Sequence, residues 1–167
     1  MGTSVGPVFT YLLTGTNVVT SNTLPAALAA VDSAAQVFDA WVTDRSCSSQ
    51  FVIGRTDPTN GTESAGGTDA LITLGAGRVD EVFEIPCFIQ KFVGGDNQAE
   101  ARNAAVILWD TFVHWLCADK TLGGVLSQGG SAEISQVRWD GTPEENAKDG
   151  RFCVVTFTIR CRNKYIP

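Results

Sequence analysis

Residues 151–165 carry the most regular pattern in the chain, an alternation of apolar and polar side chains. A period of two predicts a β-strand, and a single apolar face is typical of an antiparallel sheet with one side on a core. A strand this long needs partner strands for its backbone and a second layer over its apolar face. The apolar face holds Cys153, Val155, Phe157, Ile159 and Cys161, and the polar face holds Thr156, Thr158, Arg160 and Arg162.

Weaker patterns predict the other elements. Strands are expected over residues 36–43, 50–55, 79–92 and 132–140, and helices within residues 21–36 and 97–118. Pro86 lacks a backbone donor, so the strand over residues 79–92 is expected at a sheet edge or at a bulge. Residues 56–77 are dense in Gly, Thr, Asp and Ser, and they predict a long loop.

The order of these elements predicts an α+β fold, with an antiparallel or mixed sheet of four to five strands and two helices packed on it. A chain of 167 residues suits one domain. Residues 1–22 have no charged side chain and are rich in Thr, Gly, Ser and Asn, which predicts an extended N-terminal arm or a short, poorly defined element. Residues 23–167 are expected to form the single domain.

The predicted main helix, residues 97–118, is apolar on more than one side. One stripe suits contact with the sheet and contains Ala101, Ala105, Leu108, Phe112 and Trp115. A second stripe contains Val106, Trp109, Val113 and Leu116. A helix that is apolar nearly all round must be buried on several sides. The second stripe therefore predicts a contact with a neighbouring subunit, and burial under the N-terminal helix is the competing explanation.

Two glycines precede this helix in the sequence GGDNQAEAR, residues 94–102, and a glycine-rich helix entry can hold a phosphate. A P-loop requires Lys followed by Ser or Thr, which this stretch lacks. Asn97 and Glu100 instead fit a capping box. Asp96 and Glu100 would also repel an anion at the positive end of the helix dipole. The stretch predicts a helix cap formed by Asp96, Asn97 and Glu100, and no nucleotide site.

The sequence makes no case for catalysis, a cofactor or a metal. The one histidine, His114, follows Asp110 by one helical turn, but no nucleophile motif accompanies the pair. The five cysteines show no C-x-x-C spacing, which argues against a zinc site. The net charge of −6 argues against tight binding to a nucleic-acid backbone. The apolar run over residues 7–19 is too short and too polar to span a membrane. We therefore expect a protein that is not an enzyme.

Several short motifs follow one another in a recognisable order. A long strand leads to GGDNQAEAR, an Ala-rich helix follows, and then come ADKTLGG, another strand and DGRFCVVTFTIRCRNKY. This order resembles the tail terminator, or tail-to-head joining, proteins of long-tailed (siphovirus-type) phages, especially those of actinobacterial hosts. In that family a helix carrying Ala-Arg leads to D-x-T-L-G-G, and the last strand begins after a Gly-Arg or Gly-Ala step. The resemblance covers residues 36–162.

The resemblance implies a homo-oligomeric ring, typically of six subunits, on the head-proximal end of the tail tube. Such a ring ends polymerisation of the tail tube protein and offers a docking surface to the head connector or stopper protein. DNA passes through its lumen without sequence-specific binding. The protein would lie in the tail or neck of the virion after assembly in the host cytoplasm. In such a ring the expected subunit contacts are Val106, Trp109, Val113 and Leu116.

Two alternatives remain open at this point. One is a head-completion or stopper protein of the neck, which has the same kind of structural role. The other belongs to a different class, a small soluble ligand-binding or enzymatic α+β domain with a polar loop as its lid. A ring favours the first two interpretations, and a monomer with a deep pocket favours the third.

Overall fold

The computed structural model of the chain describes residues 4–39, 47–55, 71–75, 78–127, 129–141 and 150–165. These residues form three helices and one mixed β-sheet, so the predicted α+β class is confirmed. In chain order the elements are α1 (Val5–Thr14), α2 (Leu24–Val31), β1 (Ala35–Asp39), β2 (Ser49–Ile53), β3 (Leu71–Gly75), β4 (Arg78–Val93), α3 (Gln98–Ala118), β5 (Ser131–Gly141) and β6 (Arg151–Tyr165).

The sheet has the strand order β1-β2-β4-β6-β5, and β3 pairs with β4 beside this path. β1 and β2 are parallel, and the other neighbours are antiparallel. β4 and β6 pair along their lengths, from Val79 opposite Tyr165 to Val93 opposite Arg151. This long pair forms the centre of the sheet, and β1 and β5 lie at its two ends.

Pro86 lies in the central strand β4, so its predicted edge position is wrong. Its carbonyl accepts a hydrogen bond of 2.7 Å from the Gly54 N–H. The nitrogen and carbonyl of one residue point to the same neighbouring strand, so the proline nitrogen also faces the β2 side. On that side β3 pairs with residues 78–82 of β4, and β2 pairs with residues 87–91. The missing donor therefore falls where β3 has ended and β2 begins, and the sheet tolerates the proline there.

Two further predictions about strands need correction. The predicted loop over residues 56–77 contains strand β3, whose Gly- and Thr-rich surroundings conceal it in the sequence. The rest of that loop, residues 56–70 and 76–77, lies outside the described residues. The first predicted strand, residues 36–43, is observed as β1 (Ala35–Asp39), and residues 40–43 also lie outside the described part.

α3 packs on one face of the sheet and forms the main core with it. The predicted sheet-facing stripe of α3 is confirmed, because all five of its residues are buried. The apolar face of β6 is buried against the same core, as the alternation predicts. Aromatic rings join the two layers, with the centroids of Phe51 and Phe112 4.9 Å apart. The inward residues of β4 are Phe83, Ile85, Cys87 and Ile89.

Residues 5–14 form helix α1, so an extended arm is the wrong prediction for this part of residues 1–22. Val8 and Leu12 are fully buried in the same core as α3. The buried carboxylate of Glu81, in β4, accepts hydrogen bonds of 3.1 and 3.2 Å from the Ser4 N–H. A negatively charged Glu81 at the N-terminus of α1 also interacts favourably with the positive end of the helix dipole. The helix is thus held by the sheet rather than by its own sequence.

The turn after α3 is organised by the carboxylate of Asp119. It accepts hydrogen bonds from the Thr121 hydroxyl at 2.7 Å, from the Gly123 N–H at 2.7 Å and from the Tyr11 hydroxyl at 3.1 Å. Burial acts to raise the pKa of Asp119, but these hydrogen bonds outweigh it and lower the pKa. Burial and the nearby Asp119 charge raise the pKa of Tyr11 to about 12. The D-x-T-L-G-G segment therefore ties α1 to the end of α3.

Gly123→Ala should weaken this junction. Gly123 has a φ of +65°, and an added Cβ would lie 2.6 Å from Cε2 of Tyr11. Because both the backbone and the ring must then shift, we expect the free energy of unfolding in urea to fall by about 1–3 kcal/mol. Gly94→Ala is the matched control, since a Cβ there meets no atom within 4 Å. The control should change stability by less than about 0.5 kcal/mol, and equal losses in both variants would contradict this account.

Candidate functional site

The second apolar stripe of α3 divides into two parts in the structure. Leu116 is only 1% exposed and belongs to the core that also contains residues of α1 and α2. Leu116 therefore has no exposed surface to offer a neighbouring subunit, and its predicted place on a subunit interface is wrong. Val106, Trp109 and Val113 are half-buried and lie along one flank of α3.

Val106 lines a groove of about 420 Å³ between α3 and the end strand β5. Trp139 of β5 forms part of its wall and is 41% exposed. The indole of Trp139 meets that of Trp109 edge-on, with ring centroids 6.2 Å apart, and Trp109 continues inward to Phe157 at 5.0 Å. We call this feature the α3–β5 groove; its lining residues are Gln98, Arg102, Val106, Trp139, Asp140, Gly141 and Cys153.

Sequence reasoning missed Trp139 as a site residue. The available indication was a large aromatic residue between the charged Arg138 and Asp140. Its exposure follows from the position of β5 at the end of the sheet, and strand order is a long-range property that the local pattern does not contain. Any prediction of this groove from sequence therefore required the sheet topology first.

The edge of β5 is not built to accept a further strand. Its register with β6 shifts between Ser135 and Arg138, and Gln136 has a φ of 55°. Arg138 and Asp140 form an exposed ion pair at 3.0 Å. Bulges and charged side chains are devices by which proteins discourage strand pairing at an edge. A partner at this end of the sheet would therefore contact side chains rather than extend the sheet.

The N-terminus of α3 is capped by side chains, which is a structural role. Asn97 takes the predicted N-cap role, and its side chain accepts a hydrogen bond of 3.2 Å from the Glu100 N–H. Asp96 has a different role, because its exposed side chain forms a long ion pair of 3.9 Å with Arg151. Gln98 donates at 3.0 Å to a backbone carbonyl of β6 and so fixes the start of the helix on the sheet.

The groups considered for catalysis do not converge on one site. Asp110 and His114 are both exposed on α3. Cys153 and Cys161 are buried, as the alternation predicts, and burial raises the pKa of Cys161 to about 12. A thiol with so high a pKa is a poor nucleophile at neutral pH. Within the described ranges, His, Cys, Asp and Glu side chains form no group of three that could hold a metal ion.

Asp32, Ser49 and Lys91 form a compact polar cluster. Lys91 Nζ donates to the Asp32 carboxylate at 2.5 Å and to Ser49 Oγ at 2.7 Å, while the Ser49 hydroxyl donates to Asp32 at 2.5 Å. A Ser–Lys pair can act as a nucleophile and base, but Ser49 is fully buried and out of reach of a substrate. The cluster instead ties the end of α2 to β2 and β4.

No protein-family model matches this chain, and a search of curated proteins finds no match to it. In the part of the chain that the structure describes, no helix is long and apolar enough to cross a membrane. The geometry of the α3–β5 groove and the order of the sequence motifs are therefore the grounds for a functional proposal.

Asp32→Asn should lower stability at neutral pH and make it less sensitive to acid. Burial acts to raise the pKa of Asp32, but hydrogen bonds from Lys91 and Ser49 outweigh it and lower the pKa. A carboxyl group whose pKa is lowered by folding stabilises the folded state at pH values above its unfolded-state pKa of about 3.9. That stabilisation is lost as the pH falls through the folded-state pKa. We expect a loss of about 1–3 kcal/mol in urea denaturation at pH 7.

The difference in stability between the wild type and Asp32→Asn should shrink as the pH falls below about 4. Asp110→Asn, at an exposed position of α3, is the control and should change stability by less than about 0.5 kcal/mol. A difference between wild type and Asp32→Asn that stays constant from neutral to strongly acidic pH would show that the Asp32 charge does not stabilise the fold.

Proposed function

We propose that this chain is a structural virion protein of the tail terminator type, with no catalytic role, cofactor or metal. Its copies assemble into a ring, six in the family that it resembles, on the head-proximal end of a phage tail tube. The ring ends polymerisation of the tail tube protein and joins the tail to the head connector. DNA passes through the lumen without sequence-specific binding.

The α3–β5 groove is the observation that carries this proposal. It brings the exposed ring of Trp139 next to two of the predicted interface residues, Val106 and Trp109, at one end of the sheet. Tryptophan is enriched at the centres of protein interfaces, and Val106 and Trp139 give the groove apolar walls against which a partner can pack. These features support a subunit contact through this flank of α3.

The motifs behind the resemblance have structural roles in this chain, which suits an assembly protein. In the Ala-Arg step, Ala101 is buried against the sheet while Arg102 lines the groove. In D-x-T-L-G-G, Asp119 and Gly123 hold the turn against Tyr11. Both motifs shape the subunit and its surface, and neither brings a nucleophile next to a base.

The charge of the chain also supports a ring that DNA can slide through. Tight binding to the phosphate backbone requires clustered Lys and Arg. The chain has 12 Lys and Arg against 18 Asp and Glu, so its net field repels DNA. A lumen must let DNA move, and repulsion serves that purpose.

Trp139→Asp should abolish ring formation and leave the fold intact. This variant is a sharper test than Trp109→Asp, because Trp109 also packs on Phe157 in the core. We expect native mass spectrometry to find a ring for the wild type and a monomer for the variant, with unchanged circular dichroism. Ile107→Asp is the control, since Ile107 is 53% exposed and points about 100° away from Val106 around α3. A ring in the Trp139→Asp variant would exclude this flank as the contact.

Purified tail tubes test the function itself. We expect the wild-type protein to bind one end of the tubes in electron micrographs and to stop further growth, and we expect Trp139→Asp to do neither. Binding to the head connector without binding to tubes would favour the head-completion or stopper alternative. A monomer that binds a small molecule in the α3–β5 groove would favour the ligand-binding alternative.

A further inference from the structure

Residues 15–23, between α1 and α2, form a turn that presents two adjacent valines to solvent. Val18 and Val19 are 68% and 65% exposed. The turn contains no charged residue. We call Val18 and Val19 the valine tip.

Side-chain hydrogen bonds hold the turn in place. The amide oxygen of Asn17 accepts from the Val19 and Thr20 N–H groups at 2.9 and 3.0 Å, and its amide nitrogen donates to the Trp115 carbonyl at 2.7 Å. Trp115 Nε1 donates in return to the Asn22 carbonyl at 3.2 Å. The valine tip is therefore fixed to the C-terminal half of α3 before any partner binds. A preorganised contact loses little conformational entropy on docking.

The valine tip and the α3–β5 groove lie on different parts of the subunit. The tip is anchored at Trp115, whereas the groove reaches Val106, about 13 Å away along the helix axis at about 1.5 Å per residue. α1 and α2, which flank the tip, pack against β1, whereas the groove borders β5 at the other end of the sheet. Two unlike patches on one subunit produce a head-to-tail contact, and repetition of that contact closes a ring when its rotation divides a full turn.

We propose that the valine tip of one copy inserts into the α3–β5 groove of the next copy. This inference rests on the proposed ring and names the contact that closes it. The groove carries one cation, Arg102, and one anion, Asp140, beside the apolar Val106 and Trp139. Asp140 is already paired with Arg138, and Val106 and the exposed ring of Trp139 give the groove apolar walls that suit an uncharged apolar insert.

The N-terminal part of this chain supplies an insert of that chemistry. Its first 31 residues contain no charged side chain, and the valine tip is their most exposed apolar part within the described residues. A second copy of the chain is present wherever the protein assembles, so this contact requires no other protein. The proposed contact gives these two ordered, exposed apolar side chains a binding role.

Cysteine cross-linking tests this contact. Cys47→Ser, Cys117→Ser and Cys153→Ala first remove the two cysteines that are not buried and the one that lines the groove. Val19→Cys and Val106→Cys are then introduced into the same chain, and disulfide formation is catalysed by a mild oxidant. We expect a ladder of covalent oligomers on a denaturing gel that stops at the ring size. Chains with only one of the two new cysteines should stay monomeric on the gel, and a mixture of them should give dimers only.

Native mass measurement of the same samples separates this contact from the proposed function. A ring in which residues 19 and 106 do not cross-link would overturn the contact and leave the ring standing. Cross-links within either single variant would show that like patches meet, which would also overturn a head-to-tail contact. A protein that stays monomeric would overturn both.

Loss of the valine tip gives a second, independent readout. The double variant Val18→Ser with Val19→Ser should raise the concentration at which the ring dissociates by at least about tenfold, because it removes apolar burial from the contact. Val31→Ser is the matched control, since Val31 is 48% exposed at the end of α2 and lies outside the tip. The control should stay within about twofold of the wild type. Equal effects of the two changes would overturn the proposal.

Discussion

β4 and β6 pair in one antiparallel register from Val79–Tyr165 to Val93–Arg151, and α3 packs on the face that this register creates. The register places the inward residues of both strands on the same side of the sheet. A slip by one residue would turn every one of these side chains to the opposite face. Without that face α3 has no surface to pack on, and the N-terminal helices lose the core that they share with it. The long strand pair is therefore the first requirement of the fold.

Elements whose own period determines their burial could be predicted from the sequence. In β6 and in the sheet-facing stripe of α3, the spacing of apolar residues along the sequence matches the residues that are buried. Pro86, α1 and β3 could not be predicted, because each depends on a distant partner. Pro86 is tolerated at the break between β3 and β2, and α1 is held by Glu81 and Asp119, which lie far along the chain. Local composition contains no information about such partners.

The candidate site shows the same limit on a smaller scale. The sequence establishes that α3 has a second apolar stripe. It does not show which residues of that stripe are buried within the same chain and which remain exposed. Leu116 is buried in the core, whereas Val106 lies beside the groove. Trp139 joins Val106 only because β5 is the last strand of the sheet. Which apolar residues remain exposed is therefore a property of the topology, and a helical period alone cannot decide it.

α3 fixes the geometry of any assembly that uses both ends of this subunit. Its C-terminal half holds the valine tip through Asn17 and Trp115, and its N-terminal half lines the groove through Gln98 and Val106. One continuous helix therefore sets the distance and the angle between the two surfaces. A head-to-tail contact repeated at a fixed angle closes into a ring if the rotation divides a full turn and gives a filament if it does not. In the proposed ring, the number of subunits is thus a consequence of how α1 and α2 sit on α3 relative to β5.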